Sequence, residues 1–171
     1  MNIKYVGDSF DLVKRFFCNE LSALGYIVTV EPMFTDTWND QSKVGFFRFI
    51  GATPQDVPVP TSRDSVLFLD PDKGVNEKGG SQHVSFDRLA METSKHTLVF
   101  SFDQSFSRQK KAREVMKNKF AELRGRGCHA MYYDSHARFL FASERRKPLR
   151  ELHAHLLSLG IPPDRLLESD A

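Results

Sequence analysis

Ser65-Val66-Leu67-Phe68-Leu69-Asp70-Pro71-Asp72-Lys73-Gly74 is the stretch that decides the fold. Val66 to Leu69 is an unbroken apolar run, too short for a helix and bounded by Asp and Pro. It reads as a strand buried on both faces, as strands of parallel sheets are. Pro71 stops the strand pairing and stiffens the turn, so Asp70 and Asp72 are held in place behind it. A glycine-rich loop with Gly74, Gly79 and Gly80 follows, to Ser81.

Five more short runs carry the β-branched and aromatic residues that strands favour: Ile3–Gly7, Tyr26–Val30, Thr97–Phe102, His129–Tyr133 and Arg138–Ala142. Helical spacing lies between most of them. Val13, Phe17, Leu21 and Leu24 recur before Gly25; Ala112, Met116, Phe120 and Leu123 recur before Gly125 and Gly127. Leu149, Leu152, Leu156 and Leu159 form a last stripe, with Pro148 in its first turn and Gly160 beyond its end. A short helix is expected over Phe46–Ile50. Only Asp134 to Ala137 separate the last two strands, which is too short for a parallel crossover, so they form a hairpin. The expected fold is α/β: a three-layer, Rossmann-like, mostly parallel sheet of about six strands with a C-terminal antiparallel hairpin. Gly51 to Asp64 carries Pro54, Pro58 and Pro60 and is expected to hold no regular structure.

The 171 residues suffice for one core, so one domain over 1–171 is expected. With 27% charged and 40% hydrophobic residues, the chain is not a disordered tail, a collagen or a membrane protein. Cys18 and Cys128 are far apart and form no C-x-x-C pair, which suits two reduced, buried thiols and a cytoplasmic location. The start of the chain reads as a strand and not as a signal peptide.

An acid stands at or just beyond the end of each of the first five strands: Asp8, Glu31, Asp70 with Asp72, Asp103 and Asp134. Ligands of open α/β sheets bind at this edge. Several carboxylates converging there would repel, and a hard divalent cation, Mg²⁺ or Mn²⁺, is the simplest neutraliser. Asp8, Asp70 and Asp72 are therefore candidate metal ligands, and Asp70, Asp72, Asp103 and His136 candidate catalytic residues. Asp8 also suits a helix N-cap. The run Asp103-Gln104-Ser105-Phe106-Ser107-Arg108 packs an acid, an amide, two hydroxyls and a guanidinium behind a strand. Gln104, Ser105, Arg108 and Lys73 are candidate substrate contacts, Arg being a natural phosphate partner.

The charge is uneven. Residues 1–105 carry 10 basic and 14 acidic residues, a net of −4; residues 106–171 carry 14 and 8, a net of +6. From Arg108 to Arg126, eight bases face only Glu114 and Glu122. Lys110, Arg113, Lys117 and Arg124 should lie on the exposed side of that helix, where a phosphate backbone would meet them. A nucleic acid or a nucleotide is the expected partner, and a membrane is not. There is no G-x-G-x-x-G after the first strand, no P-loop, no G-x-S-x-G and no H-E-x-x-H.

Ser65 to Ser143 resembles the second half of class I adenosylmethionine-dependent methyltransferases. There a strand ends in a D-P-P-Y-like tetrapeptide, followed by helix, strand, helix and a terminal hairpin. Asp70-Pro71-Asp72-Lys73 stands at the tetrapeptide, without its second proline and its aromatic residue. Two strands precede it where that superfamily usually has three. The resemblance implies a methyltransferase-like domain with adenosylmethionine as its cofactor. Taken by themselves, the acids and the basic helix favour a metal-dependent phosphoesterase or nuclease. A non-catalytic binding module on the same fold is the third reading.

Overall fold

The computed structural model describes residues 3–34, 37–57, 64–106 and 111–169. The central run forms β3 (Ser65–Asp70), and all six of its residues are buried. Before it come α1 (Ser9–Ala23), β1 (Ile27–Pro32), α2 (Asp40–Ile50) and the two-residue β2 (Thr53–Pro54). After it come β4 (Gly74–Asn76), β5 (His83–Ser85), α3 (Phe86–Thr93), β6 (Leu98–Phe102) and α4 (Ala112–Gly125). The chain finishes with β7 (His129–Tyr133), β8 (Phe139–Ser143), α5 (Arg146–Ser158) and β9 (Leu166–Glu168).

One sheet of seven strands runs in the order β2-β1-β3-β6-β8-β7-β9, and β4 and β5 pair separately. β2, β1, β3 and β6 are parallel neighbours. β8 is antiparallel to both β6 and β7, so β7 points the same way as β6. The expected hairpin is there, with Tyr133 opposite Phe139, but its second strand is the one that inserts next to β6.

Side-chain alternation along the strands makes two cores. On one face Val66, Phe68, Phe100, Phe139 and Phe141 meet Phe17 and Leu21 of α1, Phe46 and Ile50 of α2, and Leu149, Leu152 and Leu156 of α5. Phe68 stacks on Phe100 at 4.4 Å between ring centres, and Phe100 on Phe141 at 5.4 Å. Each such pair contributes about 0.5–1.5 kcal/mol beyond its buried area. On the other face Leu67, Leu69, Val99, Tyr132 and Leu140 meet Phe86 and Leu89 of α3 and Met116, Phe120 and Leu123 of α4. The layers are helix, sheet, helix, as the near-continuous apolar strands require.

The ends of the chain differ from expectation. Ile3–Gly7 is not a strand: Ile3–Tyr5 form one 3-10 turn. Gly7 has φ +83°, its N–H donates to Asp11 Oδ2 at 2.9 Å, and Asp8 caps α1, so the chain turns where it would have extended. A strand at the other terminus, β9, pairs with β7. Regular structure also enters the proline loop, where β2 pairs with β1; residues 58–63 of that loop lie outside the described residues. Among the described residues, no helix is long and apolar enough to cross a membrane.

Candidate functional site

Asp70 and Asp103 end neighbouring parallel strands but point to opposite faces. Leu69 is level with Ser101 in the β3–β6 register, so Asp70 is level with Phe102 and Asp103 lies one step beyond. One step in a strand reverses the side chain. The expected convergence of Asp8, Asp70 and Asp103 in one cleft is therefore not what the fold builds.

Asp103 faces α4 and is fully buried. Its Oδ1 accepts from Val75 N–H at 3.0 Å, from Ser105 Oγ at 2.8 Å and from Lys119 Nζ at 2.9 Å. Its Oδ2 accepts from Lys119 Nζ at 2.6 Å and from Tyr132 OH at 2.5 Å. Lys119 also donates to the Val75 carbonyl at 2.8 Å and to Ser105 Oγ at 2.7 Å. Burial lowers the Lys119 ammonium, and Asp103 opposes that. Burial, together with the Asp103 charge, holds the Tyr132 phenol well above its usual range. The network is saturated and ties β4 to β6. Gly74, with φ +125°, is pressed so close that a Cβ would lie 2.2 Å from Asp103 Oδ1. Asp103, expected in catalysis, and Ser105, expected to bind substrate, are joined in this network, with Asp103 fully buried and Ser105 half-buried. Lys119, counted in the basic stripe, points inward.

Asp70 faces α1 and is likewise fully buried. Its Oδ2 accepts from Lys14 Nζ at 2.9 Å, while its Oδ1 has no hydrogen-bond partner. Lys14 also meets Asp11 Oδ1 at 2.9 Å. Burial works against the Lys14 ammonium, but Asp70 and Asp11 outweigh it and hold its pKa above the ordinary value. Burial pushes the carboxyl of Asp70 up, and Lys14 opposes that. Burial, with Asp70 nearby, also pushes the Cys18 thiol up to about 12, so it is inert.

Against this triad, at the C-terminal ends of β3 and β6, lies a pocket of about 300 Å³. Tyr5, Phe10 and Phe102 supply rings; Asp8, Asp11, Asp72, Lys14 and Gln104 supply polar groups. The size is at the lower end of the ~300–1,000 Å³ that small-molecule sites span. Asp72 follows Pro71 into the lining, with Gln82 Nε2 3.5 Å from its Oδ2. His136 is exposed at the rim: its ring lies 5.4 Å from that of Phe10, and its carbonyl accepts from Gln104 Nε2. The D-P-D turn, Gln104 and His136 are thus brought together.

Asp8 is half-buried in the same lining, but its Oδ1 accepts from Phe10 N–H at 2.8 Å and Asp11 N–H at 3.1 Å. Its local role is the helix cap. Glu31 pairs with Arg88 at 2.6 Å and Asp134 with Arg138 at 2.9 Å. Lys73 is exposed; its N–H donates to the Gln82 carbonyl and its own carbonyl accepts from Gln104 N–H. Arg113 and Lys117 are exposed on α4, remote from this pocket, in a separate groove beside β9. Arg108 and Lys110 lie outside the described residues.

Among the described residues, no three of His, Cys, Asp and Glu are grouped to share a metal ion. The charge excess that suggested Mg²⁺ or Mn²⁺ is answered by Lys14 and Lys119.

Those two lysines are what sequence reasoning missed. Lys14 sits four residues after Phe10 and three before Phe17, and Lys119 three after Met116 and four before Leu123. Each interrupts an apolar stripe, and a charge on a buried face requires a buried partner.

The chain matches no protein-family model, no curated protein and no solved structure.

Proposed function

We propose that the chain is a methyltransferase-like domain whose pocket between α1 and the D-P-D turn takes a small, planar, amino-bearing ligand, with adenosylmethionine as the leading candidate. The observation that carries this reading is the lining: among the described residues, three aromatic rings and three carboxylates stand with one side-chain cation, Lys14. Such a surface attracts positive charge and amino groups, through ring faces and carboxylate acceptors. It repels polyphosphate. Adenosylmethionine carries a sulfonium, an ammonium and an adenine amino group, so its chemistry suits these acceptors and ring faces; when bound, it would supply a methyl group.

The chain's own residues have separable tasks. Phe10 and Phe102 form apolar walls for a flat ring. Asp72, held by Pro71, accepts hydrogen bonds from amino groups. Lys14 keeps Asp11 and Asp70 in place behind the wall. Burial raises the Asp70 carboxyl, and one of its oxygens has no hydrogen-bond partner. The metal-dependent phosphoesterase reading has weaker support, because Asp70 and Asp103 face opposite sides of the sheet and each is paired with a lysine.

Isothermal titration calorimetry separates the readings. Adenosylmethionine is expected to bind, uncharged methylthioadenosine to bind more weakly, and Asp72→Asn to weaken adenosylmethionine by about tenfold, or ~1.4 kcal/mol. Binding of Mn²⁺ or of a Mg²⁺–nucleotide without adenosylmethionine binding would return the hydrolase reading.

A further inference from the structure

The seven-stranded sheet ends on β9, and among the described residues no strand covers its outer side. The Arg165 carbonyl and the Ser169 N–H bond to β7. By antiparallel alternation, the Leu166 carbonyl and the Glu168 N–H and carbonyl then turn outward. The Leu166 N–H closes back on Pro163.

Beside this edge, α4 and β9 enclose a groove of about 500 Å³. Met116, Phe120 and Leu167 contribute apolar surface to it, and Arg113, Lys117 and Arg124 contribute cations. On the α5 side, Arg146 and Arg150 line a smaller hollow against the same strand. Cations thus fringe the edge on both faces, and among the described residues Glu168 is the one acid lining either hollow.

We propose that this edge docks an acidic, extended segment of a partner protein, which adds a strand beside β9. Open sheet edges are templates for another chain. Two features select the occupant. The outward backbone groups of Leu166 and Glu168 pair with another peptide backbone, while the cations meet its acidic side chains and the groove takes its apolar ones. Base stacking has no platform here, because Phe120, the aromatic residue of the groove, is only 6% exposed.

Fluorescence anisotropy on the full chain tests this with a short labelled peptide alternating glutamate with valine. Controls are a lysine–valine peptide of equal length and single-stranded oligothymidylate. The acidic peptide should bind and weaken as salt rises. Arg113→Gln combined with Lys117→Gln should bind at least about tenfold more weakly. Glu168→Pro removes an outward N–H without touching the bonds to β7, and should abolish binding in a protein whose melting shows it folded. Should that variant not fold, the double glutamine variant decides alone, since both its positions are exposed. Undiminished binding by these variants would overturn strand addition. Tighter binding of the oligonucleotide would assign the face to nucleic acid and overturn the proposal. No binding of the acidic peptide would reduce the cations to a guard against edge-to-edge aggregation, and would equally overturn it.

Discussion

Lys14 and Lys119 each sit on the buried face of a helix and reach a strand-end aspartate 56 and 16 residues away in sequence. The two pairs differ in completeness. Around Asp103 every oxygen is used; around Asp70 one is not. A buried carboxylate with spare acceptor capacity is costly when ionised. This gives Asp70 a pH signature. Its folded pKa lies above the ordinary 3.8 because it is buried, with Lys14 opposing. Between these two values the folded chain holds the proton and the unfolded chain does not. The stability that Asp70 contributes is therefore full below pH 3.8 and is lost as pH rises through the raised value. Asp70→Asn removes this dependence. Measured by urea unfolding at a series of pH values, the difference between wild type and variant should move in favour of the variant from about pH 4 upward. A difference moving the other way would mean that pairing with Lys14 outweighs burial.

At the scale of elements, α1 brings its N-terminus to the pocket because Asp8 and Gly7 start it there. The Asp8 cap accounts for two backbone N–H groups. Asp8→Ala should cost about 0.5–2 kcal/mol of stability in denaturant unfolding, and Asp8→Asn only a few tenths. A large loss for Asn would show that charge, and not capping, is the role of Asp8. α1, α4 and α5 were legible because each repeats apolar residues at helical spacing and ends at glycine. α3 was not: of its eight residues only Phe86 and Leu89 are buried apolar anchors, behind the Ser85 cap. The strand expected over Ile3–Gly7 failed because β propensity alone does not supply a neighbour, and β1 takes β2 and β3 as its partners.

In the whole molecule, β3, β6 and β8 are flanked on both sides and covered on both faces, whereas β2 and β9 are short edges. Global unfolding should therefore be needed to expose the amides of Leu67, Phe68, Val99, Phe100, Leu140 and Phe141. Native-state hydrogen exchange should show these slowest and those of Thr53 and Glu168 fastest. Fast exchange in β8 would contradict its place between β6 and β7.

The sequence alone determined the layer architecture, the hairpin and the edge at which the acids collect. Apolar runs, helical periods and short connections are local properties, and each can be read within about a dozen residues. It also marked the D-P-D turn, because a proline behind a strand has a local meaning. The face taken by each acid was decided only by the tertiary structure. The offset of Asp70 from Asp103 depends on the register of β3 against β6, and a shift of one residue would have reversed it. The lysine partners likewise depend on helices that pack across the sheet from elsewhere in the chain. The insertion of β8 next to β6 and the addition of β9 were settled by which buried edges remained to be paired, and no single segment carries that information.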